Sequence, residues 1–320
     1  MLGSLAALLV AVPAFPGNTS AQTYPTRSIR LIVPFAAGGP TDVIARVVAQ
    51  KLSETWGQQV VTENIPGAGG NNGVAMVARA PADGYTMLVV STGFMVNPSL
   101  YSKIPYDPVK DFSPITLVAA SPNVISSNPD FPAKSMKELV ELVKANPGKF
   151  SFAQPATGST PHLAGELFKQ KYGLDLVTVP FNGAALAINS TIGGHTPIAF
   201  TALPPAMSNI KDGKLRGLAV LSINRSTAVP DVPTSAEAGT PDLESDTLTG
   251  IVAPAGTPKE IIDKWRNDIA KTVATSDVTQ RLETLGFAAV ANTPTEFSER
   301  IKVEIIRWGK VVRDANIRAD

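Results

Sequence analysis

His162 and Glu166 stand four residues apart, Ser159 precedes His162 by three, and four glycines crowd the stretch from Gly67 to Gly73. Each spacing invites a chemistry. A His and a Glu one helical turn apart can share a metal ion. With 2 histidines and no cysteine in the whole chain, donors are too few for a closed transition-metal site. Ser159 with His162 has the residue types of a nucleophile and its base, but no acid is identifiable to orient the imidazole. The glycines run G-x-G-G-x-x-G behind Pro66, the helical run after them is short, and no acid stands ~20 positions on to hold a ribose. They describe a tight loop bordering a cleft better than a dinucleotide fingerprint. His195, in GGHT, reads as a turn residue. No catalytic residue, metal site or cofactor is expected.

Anion binding without a fixed cation fits better. Ile29, Leu31, Ile32 and Val33 form a short apolar run that predicts a buried strand, and Pro34 ends it. Ala36 to Gly39 make a turn almost without side chains. Pro40 suits a first helical position, Asp42 the first turn, and Val43, Ile44, Val47, Val48 and Leu52 follow at helical spacing. A strand, a bare loop and a helix in that order aim free backbone N–H groups beyond the strand's end. Such a helix start carries about half a positive charge and attracts anions. A side chain at Gly39 is expected to block the approach. The hydroxyls of Thr41, Thr92, Thr157, Ser159 and Thr160 fall at predicted strand ends, where they either cap helices or bond a ligand.

The chain has 320 residues, 44% hydrophobic and 17% charged, with a net charge of +1. Length favours two domains, and the charge gives no basis for a nucleic-acid partner. Leu2 to Phe15 is apolar and Thr19-Ser20-Ala21 precede Gln22, as in a secretory signal over residues 1–21 cut after Ala21. The first charge is Arg27, so the basic n-region is missing: a late start, an atypical signal or an apolar tail are the readings. No later stretch reaches the ~18 apolar residues of a membrane span.

Strands and helices alternate, which predicts an α/β protein of mostly parallel sheets flanked by helices. Strands are expected at Gln59 to Glu63, Tyr85 to Val90 and Ile115 to Ala120, with a loop-like stretch from Asn97 to Ser113. Ser121-Pro122 breaks the strand before it, and the first crossing between domains is placed there. A second series follows, in which Ser135 and Glu138 form a capping box. Residues 150–168 then repeat the opening design: strand, small polar turn, Pro161 at a helix start. Thr257-Pro258 with Glu260, and Thr293-Pro294 with Glu296, are expected to cap two late helices. The domains are thus expected to comprise residues 22–121 with 247–320, and 122–246.

The segments PFAAGGPTD, NIPGAGGNNG, PADGYTMLV, NPSLYSKIPYDPVKDF, HLAGELF, IKDGKLRGLAV, PDVPTSAEAG and APAGTP occur in that order between Tyr24 and Asp320. In them the chain resembles the Bug family of periplasmic solute receptors, the substrate-binding components of tripartite tricarboxylate transporters. The resemblance implies a two-domain, type II-like periplasmic-binding-protein fold, a Venus flytrap that closes on a small organic acid. It implies a monomer located in the periplasm and serving the membrane subunits of such a transporter. A sensor signalling to a regulator, or less readily an enzyme acting on small acids, is the alternative. A ligand carboxylate would be gripped, partly through water, by the first loop: Phe35, Ala36, Ala37, Gly38, Gly39, Thr41 and Asp42. The facing loop would supply Gln154, Thr157, Gly158, Ser159, Thr160 and His162. Ser91, Thr92, Phe181, Asn182, Gly183, Thr201 and Ala202 would line the rest. Many relatives carry Asp-Asn where this chain has Thr201-Ala202, and often Lys where it has Asn182, while Pro155 and Pro161 make its facing loop less typical. These departures point to a less polar acid, an aromatic or short aliphatic carboxylate.

Overall fold

The computed structural model describes residues 24–319. The expected signal at residues 1–21 lies outside them. In chain order the first elements are β1 (Ile29–Val33), α1 (Pro40–Trp56), β2 (Val60–Asn64), a 3-10 turn (Ala68–Gly70), α2 (Asn71–Ala78), β3 (Thr86–Ser91) and α3 (Thr92–Leu100). Next come β4 (Phe112–Ser127), α4 (Met136–Ala145), β5 (Ser151–Gln154), α5 (Thr160–Tyr172), β6 (Val177–Pro180), α6 (Ala184–Ile192), β7 (Ile198–Ala202), α7 (Leu203–Lys211) and β8 (Arg216–Val220). The chain closes with β9 (Asp246–Pro254), α8 (Lys259–Val273), α9 (Ser276–Thr284), β10 (Ala288–Ala289) and α10 (Pro294–Asp314).

The strands run in the order β2-β1-β3-β9-β4-β7-β5-β6, with β8 and β10 also on β4. Sheets expected to be mostly parallel are in fact mixed. The β1–β2, β1–β3, β5–β6 and β5–β7 pairs are parallel, whereas every pair made by β4 or β9 is antiparallel. The reason is β4, which spans both halves. Phe112 to Pro122 pair with β9, and Asn123 to Ser127 pair with β7 on one edge and β8 on the other. Ser121-Pro122 therefore does not end the strand. Pro122 falls where the ladder passes from one partner to the next, and Asn123 resumes donation at once, to Ser245 O. A missing N–H is tolerated at such a handover.

The stretch after Asn97 is not all loop, because α3 runs to Leu100 with Pro98 inside it. Ser91 caps its first turn by accepting from Gly93 N–H. Val96 and Leu100 pack with Leu163, Trp308 and Val312, and this burial outweighs the carbonyl that Pro98 leaves unbonded. Two caps also differ from expectation. Ser135 accepts from Glu138 N–H, but the Glu138 carboxylate returns to Lys134 N–H, so the box is displaced by one residue. Thr257 bonds Pro254 O instead of capping α8. The Thr293–Glu296 box forms in full.

Each half builds its own core. Ile44, Val48 and Leu52 of α1 and Trp265 and Ile269 of α8 cover Ile29, Leu31 and Val33 of β1. Phe152, Phe168, Ile198 and Phe200 centre the other. Fully burying such a side chain contributes about 1.5–3 kcal/mol, so both strand–loop–helix units stand on rigid foundations. Among the described residues no helix is long and apolar enough to cross a membrane.

At Gly250 of β9 an added Cβ would lie 2.3 Å from Phe297 Cζ of α10, itself fully buried. Gly250→Ala should lower the free energy of unfolding by about 1–3 kcal/mol through overpacking. Chemical denaturation would measure it, and an unchanged midpoint would refute this tight strand–helix approach.

Candidate functional site

The loop between β1 and α1 is held by one carboxylate. Gly38 adopts φ +85°, a left-handed conformation suited to glycine, and donates its N–H to Asp42 Oδ2 at 2.9 Å. Arg46 forks onto both Asp42 oxygens at 2.9 and 3.1 Å, and Asn64 Nδ2 donates to Asp42 Oδ1 at 2.8 Å. The same Asn64 amide reaches Phe35 O, tying the loop to the end of β2. Burial alone would raise the Asp42 carboxyl. The bonds from Arg46, Gly38 and Asn64 outweigh it and hold the group at about 2. Asp42 is 2% exposed and lies outside the cavity wall, so it builds the loop rather than facing a ligand. Gly39 has an ordinary φ of −75°, and an added Cβ would meet only Ala36 O, at 3.7 Å. The protein itself thus leaves room for a side chain at Gly39, while Gly38, at φ +85°, is the position whose backbone requires glycine.

The loop between β5 and α5 is built the same way. Gly158, at φ +77°, donates its N–H to His162 Nδ1 at 3.0 Å, and Ser159 caps α5 by accepting from His162 N–H. Gln154 Oε1 accepts from Ala156 N–H at 2.7 Å at the loop's root. Burial lowers the His162 pKa against the opposing pull of Glu166, with Lys169 adding to the lowering. An Nδ1 that accepts leaves the proton on Nε2, which faces Glu166 Oε1 at 3.7 Å. Glu166 is itself bonded by Thr178 and Lys169. The His–Glu pair is thus spoken for inside the protein, and no group of residues suited to a metal occurs among the described residues.

Between these loops lies a cavity of about 570 Å³. Of the residues expected to bind ligand, Phe35, Gly38, Ser91, Thr157, Gly158, Ser159, Thr160 and Ala202 line it. Ala36 and Ala37 are exposed on the first loop, and Thr41, the second residue of α1, is buried behind it. Thr92 ties the crossing strand instead, accepting from Leu248 N–H and donating to Asp246 O. Phe181 N–H bonds Gln154 O, and Gly183 N–H bonds Pro155 O, so these brace the facing loop from behind. Asn182 is exposed and Thr201 fully buried, both off the wall. Sequence reasoning missed Asn97 and Leu100 of α3 with Tyr101 just after it, Pro204 and Pro205 of α7, and Leu285 and Phe287 after α9. Only the two prolines carried a local signal, a helix start directly behind Thr201-Ala202. Among the described residues, none that lines the cavity is charged.

Residues 44–317 match the family model described as the tripartite tricarboxylate transporter family receptor. The chain belongs to that receptor family. It is 37% identical to protein BugT of Bordetella pertussis over 313 residues, covering 97% of this chain and 96% of BugT. A solved structure titled as a periplasmic transporter shares 42% identity at a TM-score of 0.81, covering 93% of this chain and 100% of the other. An R. palustris protein solved with adipate shares 34% identity at a TM-score of 0.81, with 92% and 99% covered. The fold is the α/β periplasmic-binding-protein fold, and these receptors are solute-binding proteins rather than enzymes.

Asp42→Asn should remove the charge-assisted clamp and cost about 1–3 kcal/mol at pH 7. The native Asp42 contribution is complete above the ordinary carboxylate pKa of ~4 and is lost as pH falls through about 2. A denaturation series from pH 7 to 2 in which the variant's deficit fails to shrink at the acid end would refute this. His162 has the same sign in a higher window. The unfolded chain takes up a proton near pH ~6.5 that the folded site resists, so acidification from there removes stability. The stability gap between wild type and His162→Gln should therefore narrow from pH 7 to 5; a constant gap would assign His162 no titrating role.

Proposed function

We propose that the protein is a periplasmic receptor that captures a small organic acid, an aromatic or aliphatic carboxylate, and delivers it to the membrane subunits of a tripartite tricarboxylate-type transporter. One observation carries this: two loops of the same build face each other across one uncharged cavity, each a helix start held by its own third residue. The N–H end of α1 and the hydroxyls at Thr157, Ser159 and Thr160 would receive the carboxylate, in the manner of anion sites at helix starts. Adipate bound to the R. palustris relative supports a carboxylate as the ligand class.

The lobes would divide within β4 at Ser121-Pro122 and again near Asp246, giving residues 22–121 with 247–320, and 122–246. The handover of β4 from β9 to β7 and β8 supports that division. Both loops come from one chain, which supports a monomeric receptor. Closure would bring the lobes together about β4 and β9, as in other hinged binding proteins.

A thermal-shift screen of the mature protein against mono-, di- and tricarboxylates, aromatic acids included, tests the reading. A ligand at a hundred times its Kd adds ~2.7 kcal/mol of stability. One chemical class should raise the melting temperature and be recovered unchanged. A flat panel from folded, ligand-free protein would overturn the organic-acid receptor, and a converted compound would point to an enzyme.

A further inference from the structure

Five helices, α1, α3, α5, α6 and α7, begin at the cavity wall, yet they do not offer equal numbers of donors. At α7, Ala202 is the N-cap and Leu203 the first helical residue, so Pro204 and Pro205 occupy the second and third positions. Those two positions carry the N–H groups that a cap or an anion ordinarily bonds. Here they carry pyrrolidine rings, and both rings line the cavity. Leu285 and Phe287 adjoin them from the other lobe, because Gly286 lies so near that an added Cβ would stand 3.4 Å from Pro204 Cα.

Strand order separates this wall from the polar loops. In the second lobe β7 lies between β4 and β5, so α7 starts on the hinge side of the β5–α5 loop, and α6 starts on the far side. Gly183 N–H bonds Pro155 O, which joins the start of α6 to that loop. In the first lobe β10 pairs with Ala119 and Ala120 of β4, which brings Phe287 to the hinge side as well. The cavity therefore has an outer side lined by the hydroxyls of Thr157, Ser159 and Thr160, although α5 too lacks an N–H at Pro161 and bonds the next, at His162, to Ser159. Its hinge side is made of proline rings and apolar side chains, where the Thr247 hydroxyl is already donated to Asn123 Oδ1. No lining side chain among the described residues supplies a cation, and Arg46, on the first loop's helix, is already bonded to Asp42 and Asn64. A charge pushed against such a wall loses its hydration without a partner.

Resting on the carboxylate reading above, we propose that the site selects by charge number. It takes acids with a single carboxylate on an apolar body, and Pro204 and Pro205 are the residues that exclude a second carboxylate.

Matched ligand sets separate charge from size: hexanoate, adipate and monomethyl adipate, then benzoate, terephthalate and monomethyl terephthalate. Calorimetric titration of the wild-type protein at pH 7 should rank the best monoacid at least tenfold above its diacid, with the monomethyl ester restored to within about threefold of the monoacid. A diacid that binds as tightly as its monoacid overturns the proposal. A rejected ester also overturns it, since length rather than charge would then decide. If no member of either set binds, the selectivity proposal falls, and the carboxylate reading falls with it only if the wider carboxylate panel is flat as well. The double variant Pro204→Ala/Pro205→Ala restores both N–H groups and should narrow the monoacid–diacid gap at least threefold. Circular dichroism and retained monoacid binding establish that it folds, and Pro205→Ala alone replaces it if it does not. An unchanged gap in a folded variant removes the prolines from the mechanism.

Discussion

The site depends on one interaction made twice: a glycine N–H, just before a helix, donated to the side chain at that helix's third residue. Gly38 gives its proton to Asp42, and Gly158 gives its proton to His162. In both cases the glycine has a positive φ, which turns the chain sharply enough for its N–H to point back into the first turn. The clamp uses up that N–H and fixes the path of the loop. What remains available beyond the strand is set by where the clamp leaves the next residues. A loop without side chains has no packing of its own to hold its shape, so the shape must come from such backbone bonds. Supporting contacts extend each clamp into a rigid neighbour: Asn64 at the end of β2 holds the first, and Glu166 with Thr178 of β6 stands behind the second.

The clamps sit on equivalent strand–loop–helix units, and the sheets that carry them join through β4, which pairs with β9 along its first part and with β7 and β8 along its last. β4 runs antiparallel to β9 up to Pro122, and the buried junction of α3, α5 and α10 adds apolar contact beside it. Leu100 of α3 nests on Gly158, where an added Cβ would lie 2.2 Å from Leu100 Cδ2. The second loop's glycine thus answers two demands at once, its own φ and the close approach of the opposite lobe.

Short-range chemistry makes much of this architecture legible in the amino-acid sequence. The β1–α1 unit, its repetition at β5–α5 and the Thr293–Glu296 box are written in adjacent residues, because strand ends, prolines and caps obey local rules. Ser121-Pro122 misleads for the same reason: a proline reads as a break unless the neighbouring strands are known, and only pairing with β9 and then β7 reveals a tolerated position. Pro98 misleads likewise, its helix being held by contacts with α10, about two hundred residues away. Asp42 and His162 have the residue types and positions of ligand groups. That their bonds turn inward, toward Gly38 and Gly158, depends on loop geometry that spacing does not specify. Leu285 and Phe287 reach the cavity only through the pairing of β10 with β4, a contact no local pattern encodes.

The two clamps differ in charge, and the difference bears on what the cleft does. Asp42 brings a full negative charge to a helix start, where it would compete with an anionic ligand, but Arg46 forks onto it and returns the local balance to neutral. His162 needs no such counterion, because burial keeps its imidazole neutral. Both loops therefore present the field of a helix start unmodified by a net side-chain charge. That field amounts to about half a unit of charge at each end and weakens within a turn. A lysine or arginine in the wall would grip a carboxylate harder, but a receptor must also release what it binds. In the proposed receptor, binding by dipoles and hydroxyls would tie affinity to how closely the two helix starts approach, so that opening the lobes would weaken the grip directly. A fixed cation would remain on one lobe whether the cleft was open or closed. In the proposed hinged receptor, an uncharged wall would couple capture and release to one movement.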